Sequence, residues 1–136
     1  MRHRLSLIIL LLAAYLIAPY ALFAADTTPP TGTIVINNNK PYTNTALVTL
    51  TLSAKDSSSR VSQMQFSDDN ITWSTPVKYA RSKKWTLPQG DGTKTVYAKF
   101  SDKAGNWSIA YSDSITLDTQ GPSITVTSPT EGEVIR

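Results

Sequence analysis

Alternation is the clearest signal in the chain. Val48, Leu50, Leu52 and Ala54 take turns with Thr49, Thr51 and Ser53. Side chains along a β-strand point alternately to its two faces, so this pattern predicts a strand with one buried face and one wet face. Shorter versions recur. Thr33 to Ile36 puts Ile34 and Ile36 on one side, and Val61 to Ser67 sets Met64 and Phe66 among Gln63, Gln65 and Ser67. Thr93 to Phe100 aligns Val96, Ala98 and Phe100 against Thr95, Tyr97 and Lys99. Tyr111 to Asp118 turns Ile115 and Leu117 inward. Ile71 to Ser74 and Lys84 to Leu87 complete the expected strands. Pro76 makes the segment holding Val77 and Tyr79 irregular or edge-like. No segment beyond residue 25 carries a 3.6-residue apolar period.

Turn residues separate these runs. They stand at Asn37 to Pro41, Asp56 to Arg60, Asp68 to Asn70, Pro88 to Gly92 and Asp102 to Asn106. Gly105 is free to take the positive φ that a hairpin turn requires. About seven short strands in roughly 90 residues predict an all-β fold, an immunoglobulin-like antiparallel sandwich.

The flanks divide the chain. Arg2, His3 and Arg4 precede an apolar run from Leu5 to Ala18, broken by Pro19 and followed by Ala21-Leu22-Phe23-Ala24-Ala25. That is the layout of a secretory signal-peptide helix, cut after Ala24. The run is shorter than the roughly 20 residues of a spanning helix, so membrane contact is expected only through an uncleaved signal. Asp26-Thr27-Thr28-Pro29-Pro30 and Asp118-Thr119-Gln120-Gly121-Pro122 echo one another, and a β-like segment follows each. The expected organisation is therefore a signal peptide over 1–24, a linker over 25–32, the sandwich over 33–118, and a linker plus the first strand of an incomplete second module over 119–136. In that last segment Ile124 and Val126 form a half-buried strand pattern. Three readings compete: the start of a truncated module, an extra edge strand, or a strand that pairs with another copy.

Charge and composition narrow the chemistry. The chain carries 13 Lys and Arg against 10 Asp and Glu. Arg2 and Arg4 belong to the signal, so the mature balance is close to neutral, and no basic run exceeds Lys83-Lys84. Nucleic-acid binding has no electrostatic footprint. There is no cysteine, and the one histidine is His3. Disulfides, thiolate sites, histidine-based triads and His/Cys zinc sites are excluded from the mature chain. No catalytic residue and no cofactor is expected, and an enzyme is the least favoured class.

The run Asp91-Gly92-Thr93-Lys94-Thr95-Val96-Tyr97-Ala98-Lys99-Phe100-Ser101-Asp102-Lys103-Ala104-Gly105-Asn106 resembles the penultimate strand and hairpin of bacterial immunoglobulin-like repeats, modules close to fibronectin type III. Phe66 to Ser74 resembles their central hairpin, and the two Asp-Thr linkers resemble their inter-repeat linker. The resemblance covers residues 26 to 118. It implies a non-catalytic sandwich used in series on large exported or surface proteins, as a spacer or an adhesion domain. The expected partners are neighbouring modules, another protein or a surface glycan.

Two constellations hold the candidate binding residues. Asp68, Asp69 and Asn70 could offer oxygens to a calcium ion, and Asp26, Asp56, Asp102 and Asp118 are candidates to gather at one end of the sandwich. The plain alternative is that Asp and Asn favour turns because their side chains bond nearby backbone. Tyr97, out of phase with the core positions, and Trp107, behind the hairpin turn, could contact a partner protein or stack on a glycan. The plain alternative there is sheet decoration and core packing.

Overall fold

The computed structural model describes residues 23–125. The signal-peptide run and Val126 lie outside the described residues. The strands are Thr31–Ile36 (β1), Tyr42–Thr43 (β2), Leu47–Lys55 (β3), Val61–Ser67 (β4), Val77–Lys78 (β5), Ser82–Thr86 (β6), Gly92–Asp102 (β7) and Tyr111–Leu117 (β8). They form two sheets, one ordered β1-β3-β6 and the other β2-β8-β7-β4-β5. All pairings are antiparallel except β2 with β8.

The alternating residues meet between the sheets. Ile34, Ile36, Val48, Leu50 and Leu52 come from the first sheet. Met64, Phe66, Val96, Ala98, Phe100, Ile115 and Leu117 come from the second, and Leu87 joins them from the loop after β6. Register explains the agreement between pattern and burial: Ile34 lies opposite Leu52, Ile36 opposite Leu50, and Phe66 opposite Ala98. Aromatic rings seal the core. Phe66 lies 5.4 Å from Trp85, and Phe100 lies 5.9 Å from Tyr79 and 6.1 Å from Tyr111. Trp85 is half-buried against the core.

One expectation needs correction. Residues 71–76 form no strand, and Ile71 is 84 % exposed. The cause is local hydrogen bonding. Phe66 N–H donates to Ser74 Oγ at 3.0 Å, and Ser74 N–H donates to Phe66 O at 2.8 Å, which clips a wide loop shut. Inside it Asn70 takes φ 60° and Asp69 Oδ1 accepts from Ile71 and Thr72 N–H. The strand β2 is an addition that the pattern did not predict. Asn37, Asn38 and Asn39 all adopt left-handed φ, at 44°, 54° and 61°. Asn accepts that conformation more readily than other side chains. The turn carries the chain from β1 in one sheet to β2 in the other, and Asn37 Oδ1 fixes it by accepting Thr49 N–H at 2.9 Å.

This topology gives the sandwich two poles. Gly92 pairs with Leu117, whereas Asp102 at the other end of β7 pairs with Val61. The incoming linker precedes Thr31, which pairs with Lys55 near the Asp102 end. The outgoing chain leaves β8 beside Gly92. At an antiparallel rise near 3.4 Å per residue, the 11 residues of β7 separate the poles by about 34 Å.

Candidate functional site

At the first pole three chain segments each bring one aspartate. Asp26 opens the incoming linker, and its Oδ1 accepts Thr28 N–H at 3.0 Å. Pro30, just beyond, is buried and anchors the linker to the sandwich. Asp56 follows β3, where Oδ1 accepts Ser58 and Ser59 N–H at 2.9 and 2.6 Å. Asp102 closes β7. Its Oδ1 accepts Asn106 N–H at 2.9 Å and its Oδ2 accepts Asn106 Nδ2 at 2.8 Å. The same Asn106 Nδ2 donates to Asp26 O at 2.9 Å, tying the linker to the β7–β8 loop.

One carboxylate oxygen from each of Asp26, Asp56 and Asp102 lies within 4.8 Å of the others. Asp102 is only 2 % exposed. Burial raises its carboxyl pKa, but donors from the Asn106 side chain and from the Asn106, Gly105 and Ala104 backbone outweigh that and hold it below the usual range. Asp26 Oδ2 and Asp56 Oδ2 are fully buried and accept no hydrogen bond. Lys55, Arg60 and Lys103, the basic residues nearest in sequence, are exposed. The arrangement is an all-oxygen cluster of carboxyl groups, the donor set that hard cations take.

The fourth expected member is elsewhere. Asp118 lies at the opposite pole and is exposed, because β8 runs away from the Asp102 end. Its Oδ1 accepts Gln120 N–H at 3.1 Å, the same turn that Asp26 makes with Thr28. The two linker echoes thus share a local conformation as well as a sequence. Thr119 adds a clamp, its N–H and hydroxyl both donating to Asp91 Oδ1 at 3.0 and 2.8 Å.

A signal that sequence reasoning missed explains Asp102. Phe66-Ser67-Asp68-Asp69-Asn70-Ile71-Thr72-Trp73-Ser74 and Phe100-Ser101-Asp102-Lys103-Ala104-Gly105-Asn106-Trp107-Ser108 share Phe-Ser-Asp at the start and Trp-Ser at the end. Their hydrogen bonds match too. Phe100 N–H donates to Ser108 Oγ at 3.0 Å, and Ser108 N–H donates to Phe100 O at 2.8 Å. Because β4 and β7 are antiparallel, the two clipped loops leave their strands in opposite directions. The equivalent aspartates then diverge: Asp68 accepts Trp85 Nε1 at 2.9 Å, while Asp102 joins Asp26 and Asp56.

The other candidates fall as follows. Asp68, Asp69 and Asn70 are exposed, and Asp69 Oδ1 is occupied by Ser67 Oγ and by Ile71 and Thr72 N–H. Those donors hold the Asp69 carboxyl well below the usual range. Tyr97 is half-buried, opposite Ser67 and Ser112 on the outer side of β7. Trp107 is half-buried and bridges Ser101, four positions further along, about 13 Å away at the usual strand rise. Between them Lys99 Nζ stands 4.1 Å from the centre of the Trp73 ring. Ile124 is 82 % exposed, and no strand forms over residues 118–125.

No protein-family model matches the sequence, and neither does any curated protein. Solved structures do match. The chain is similar to the PKD1 domain of Vibrio anguillarum Epp at 13% identity and a TM-score of 0.51, over 70% of this chain and 100% of that one. It is also similar to the fibronectin(III)-like modules of Clostridium thermocellum CbhA at 18% identity and a TM-score of 0.54, over 73% of this chain and 52% of that one. The fold is that of bacterial immunoglobulin-like and fibronectin(III)-like modules.

Proposed function

We propose that this chain is a non-catalytic module of an exported bacterial protein, serving as a spacer or an adhesion domain held in series with other parts. The observation that carries this reading is the course of the chain. It comes in at the pole of Asp26 and goes out at the pole of Asp118, with β7 spanning the length between them. Both linkers are fastened to their pole, through Asn106 to Asp26 and through Thr119 to Asp91. Fastened ends on opposite sides are what a load-bearing spacer needs, and Pro29 and Pro30 stiffen the incoming segment. The scarcity of nucleophile and base chemistry, with no cysteine and only His3, agrees with a role in contact rather than turnover.

A glycan-binding role through Tyr97 and Trp107 is the competing reading. Probing the purified chain against cell-wall and plant polysaccharides separates the two. The spacer reading expects no saturable binding. Saturable binding that Tyr97→Ala or Trp107→Ala abolishes would replace it. Export is checked by the N-terminus of chain recovered outside the cytoplasm: Ala25 is expected, and a chain retained in the cytoplasm would contradict it.

A further inference from the structure

We infer that Asp26, Asp56 and Asp102 form a calcium site that locks the incoming linker onto the sandwich. Three observations meet at one point. The first is geometric. Calcium holds its oxygens at 2.3–2.6 Å, so two oxygens on one ion stand at most about 5 Å apart. The three carboxylate oxygens, all within 4.8 Å of one another, fit inside that sphere.

The second observation is independent of the clustering. Asp26 Oδ2 and Asp56 Oδ2 each expose under 1 Å² and have no hydrogen-bond partner. A buried polar atom without a partner is costly, and a buried carboxylate oxygen more so. The Oδ1 atoms of the same residues are supplied with donors by their own turns. Turn formation therefore accounts for one oxygen of each residue and leaves the other without a role. Among the other described residues no carboxylate oxygen is left in this condition: Asp69 and Asp91 are exposed and bonded, and Asp113 Oδ2 accepts Ile36 N–H at 2.7 Å.

The third is charge. Three carboxylates converge, and the neighbouring Lys55, Arg60 and Lys103 stand out in solvent. A divalent cation bonded to all three relieves their repulsion and supplies both orphaned oxygens with a partner. Carboxylates alone suit calcium or magnesium over zinc or copper. Magnesium demands a near-ideal octahedron and parts with its water reluctantly, whereas three side chains from three loops offer the adaptable geometry that calcium accepts. Water completes the coordination. The consequence is mechanical. Asp26 is the first residue of the linker, so the ion joins the incoming chain to the β3–β4 and β7–β8 loops at once.

The test is thermal unfolding of the purified chain in chelator, in CaCl2 up to roughly 10 mM, well above the 10⁻⁴–10⁻³ M range of extracellular calcium modules, and in MgCl2 and NaCl controls. One calcium per chain is expected by titration calorimetry, with a saturable rise in melting temperature that NaCl does not reproduce. Asp56→Asn keeps the Oδ1 acceptor for Ser58 and Ser59 and replaces only the orphaned oxygen. It should weaken calcium binding at least tenfold while melting no lower than the parent chain in chelator, which shows that the variant folds. Asp118→Asn, at the far pole, should keep the full calcium response. Superimposable curves in chelator and calcium would overturn the site. So would an equal response to magnesium, or a calcium response unchanged in both Asp56→Asn and Asp102→Asn.

Discussion

At the scale of single residues, two positions show how little freedom the sandwich leaves. A Cβ placed on Gly32 would stand 2.5 Å from Phe100 Cε2 and 2.8 Å from Ser53 O. The ring belongs to the centre of the core and the carbonyl to the neighbouring strand, so neither can yield cheaply. Gly32→Ala should cost about 1–3 kcal/mol, the usual range for overpacking, read as a lower urea midpoint at unchanged slope. A midpoint equal to the parent's would mean that β1 can slide outward. Sequence alone left Gly32 in the linker, one residue short of the expected strand, because the atoms that crowd it lie on β3 and β7. Asn37 is the opposite case. An Asn-rich turn was legible, since Asn favours left-handed backbone. Its acceptance of Thr49 N–H from β3 was not, because that bond depends on where the sheet brings Thr49.

At the scale of elements, the paired Phe–Ser clips decide how β4 and β7 end. Ser108→Ala removes the acceptor of a buried N–H on Phe100, and Ser74→Ala removes that of a part-buried N–H on Phe66. An orphaned donor costs about 1–3 kcal/mol when water cannot reach it. Ser108→Ala should therefore destabilise more than Ser74→Ala in chemical denaturation, and the reverse order would contradict the burial argument. The loops between also set the acid response. Asp69 is lowered from an ordinary value of 3.8 by Ile71 and Thr72 N–H and by Ser67 Oγ, and Asp91 is lowered by the Thr119 hydroxyl and N–H. Each carboxyl binds a proton more readily in the unfolded chain. Its stabilising contribution is thus complete above the ordinary value and is lost as pH falls below it toward the folded value. Asp69→Asn retains an Oδ1 acceptor but cannot titrate, so its urea midpoint should fall less steeply than the parent's below about pH 4. Parallel acid limbs would show that Asp69 is not linked to folding.

The same scale shows why a strand was expected at Ile71 to Ser74. A β-branched and aromatic run reads as a strand when a turn precedes it. Here the turn is not closed at Asn70. It extends to Ser74, and the loop's hydrogen bonds consume the donors that a strand would have offered. The long strands were legible because their period-2 pattern is enforced by burial on one face. The two-residue strand β2 was not, since a pair so short carries no period, whereas Pro76 marked the segment of β5 as edge-like and β5 does lie at the edge of its sheet.

At the scale of the whole molecule, the pattern of apolar residues was enough to assign a two-sheet sandwich. It could not distribute the loops between the poles, because that depends on strand direction and pairing order. Asp26, Asp56 and Asp102 do converge, while Asp118 is carried to the far end by β8. The fold positions two fastened linkers at opposite poles, and the spacer role rests on that separation. A dipolar distance measurement between spin labels on Thr27→Cys and Gln120→Cys tests it directly, since the chain has no cysteine of its own and both positions are exposed. A single narrow distribution centred beyond about 30 Å, set by the length of β7, is the result predicted. A distribution centred below about 20 Å would put both linkers at one pole and contradict the account.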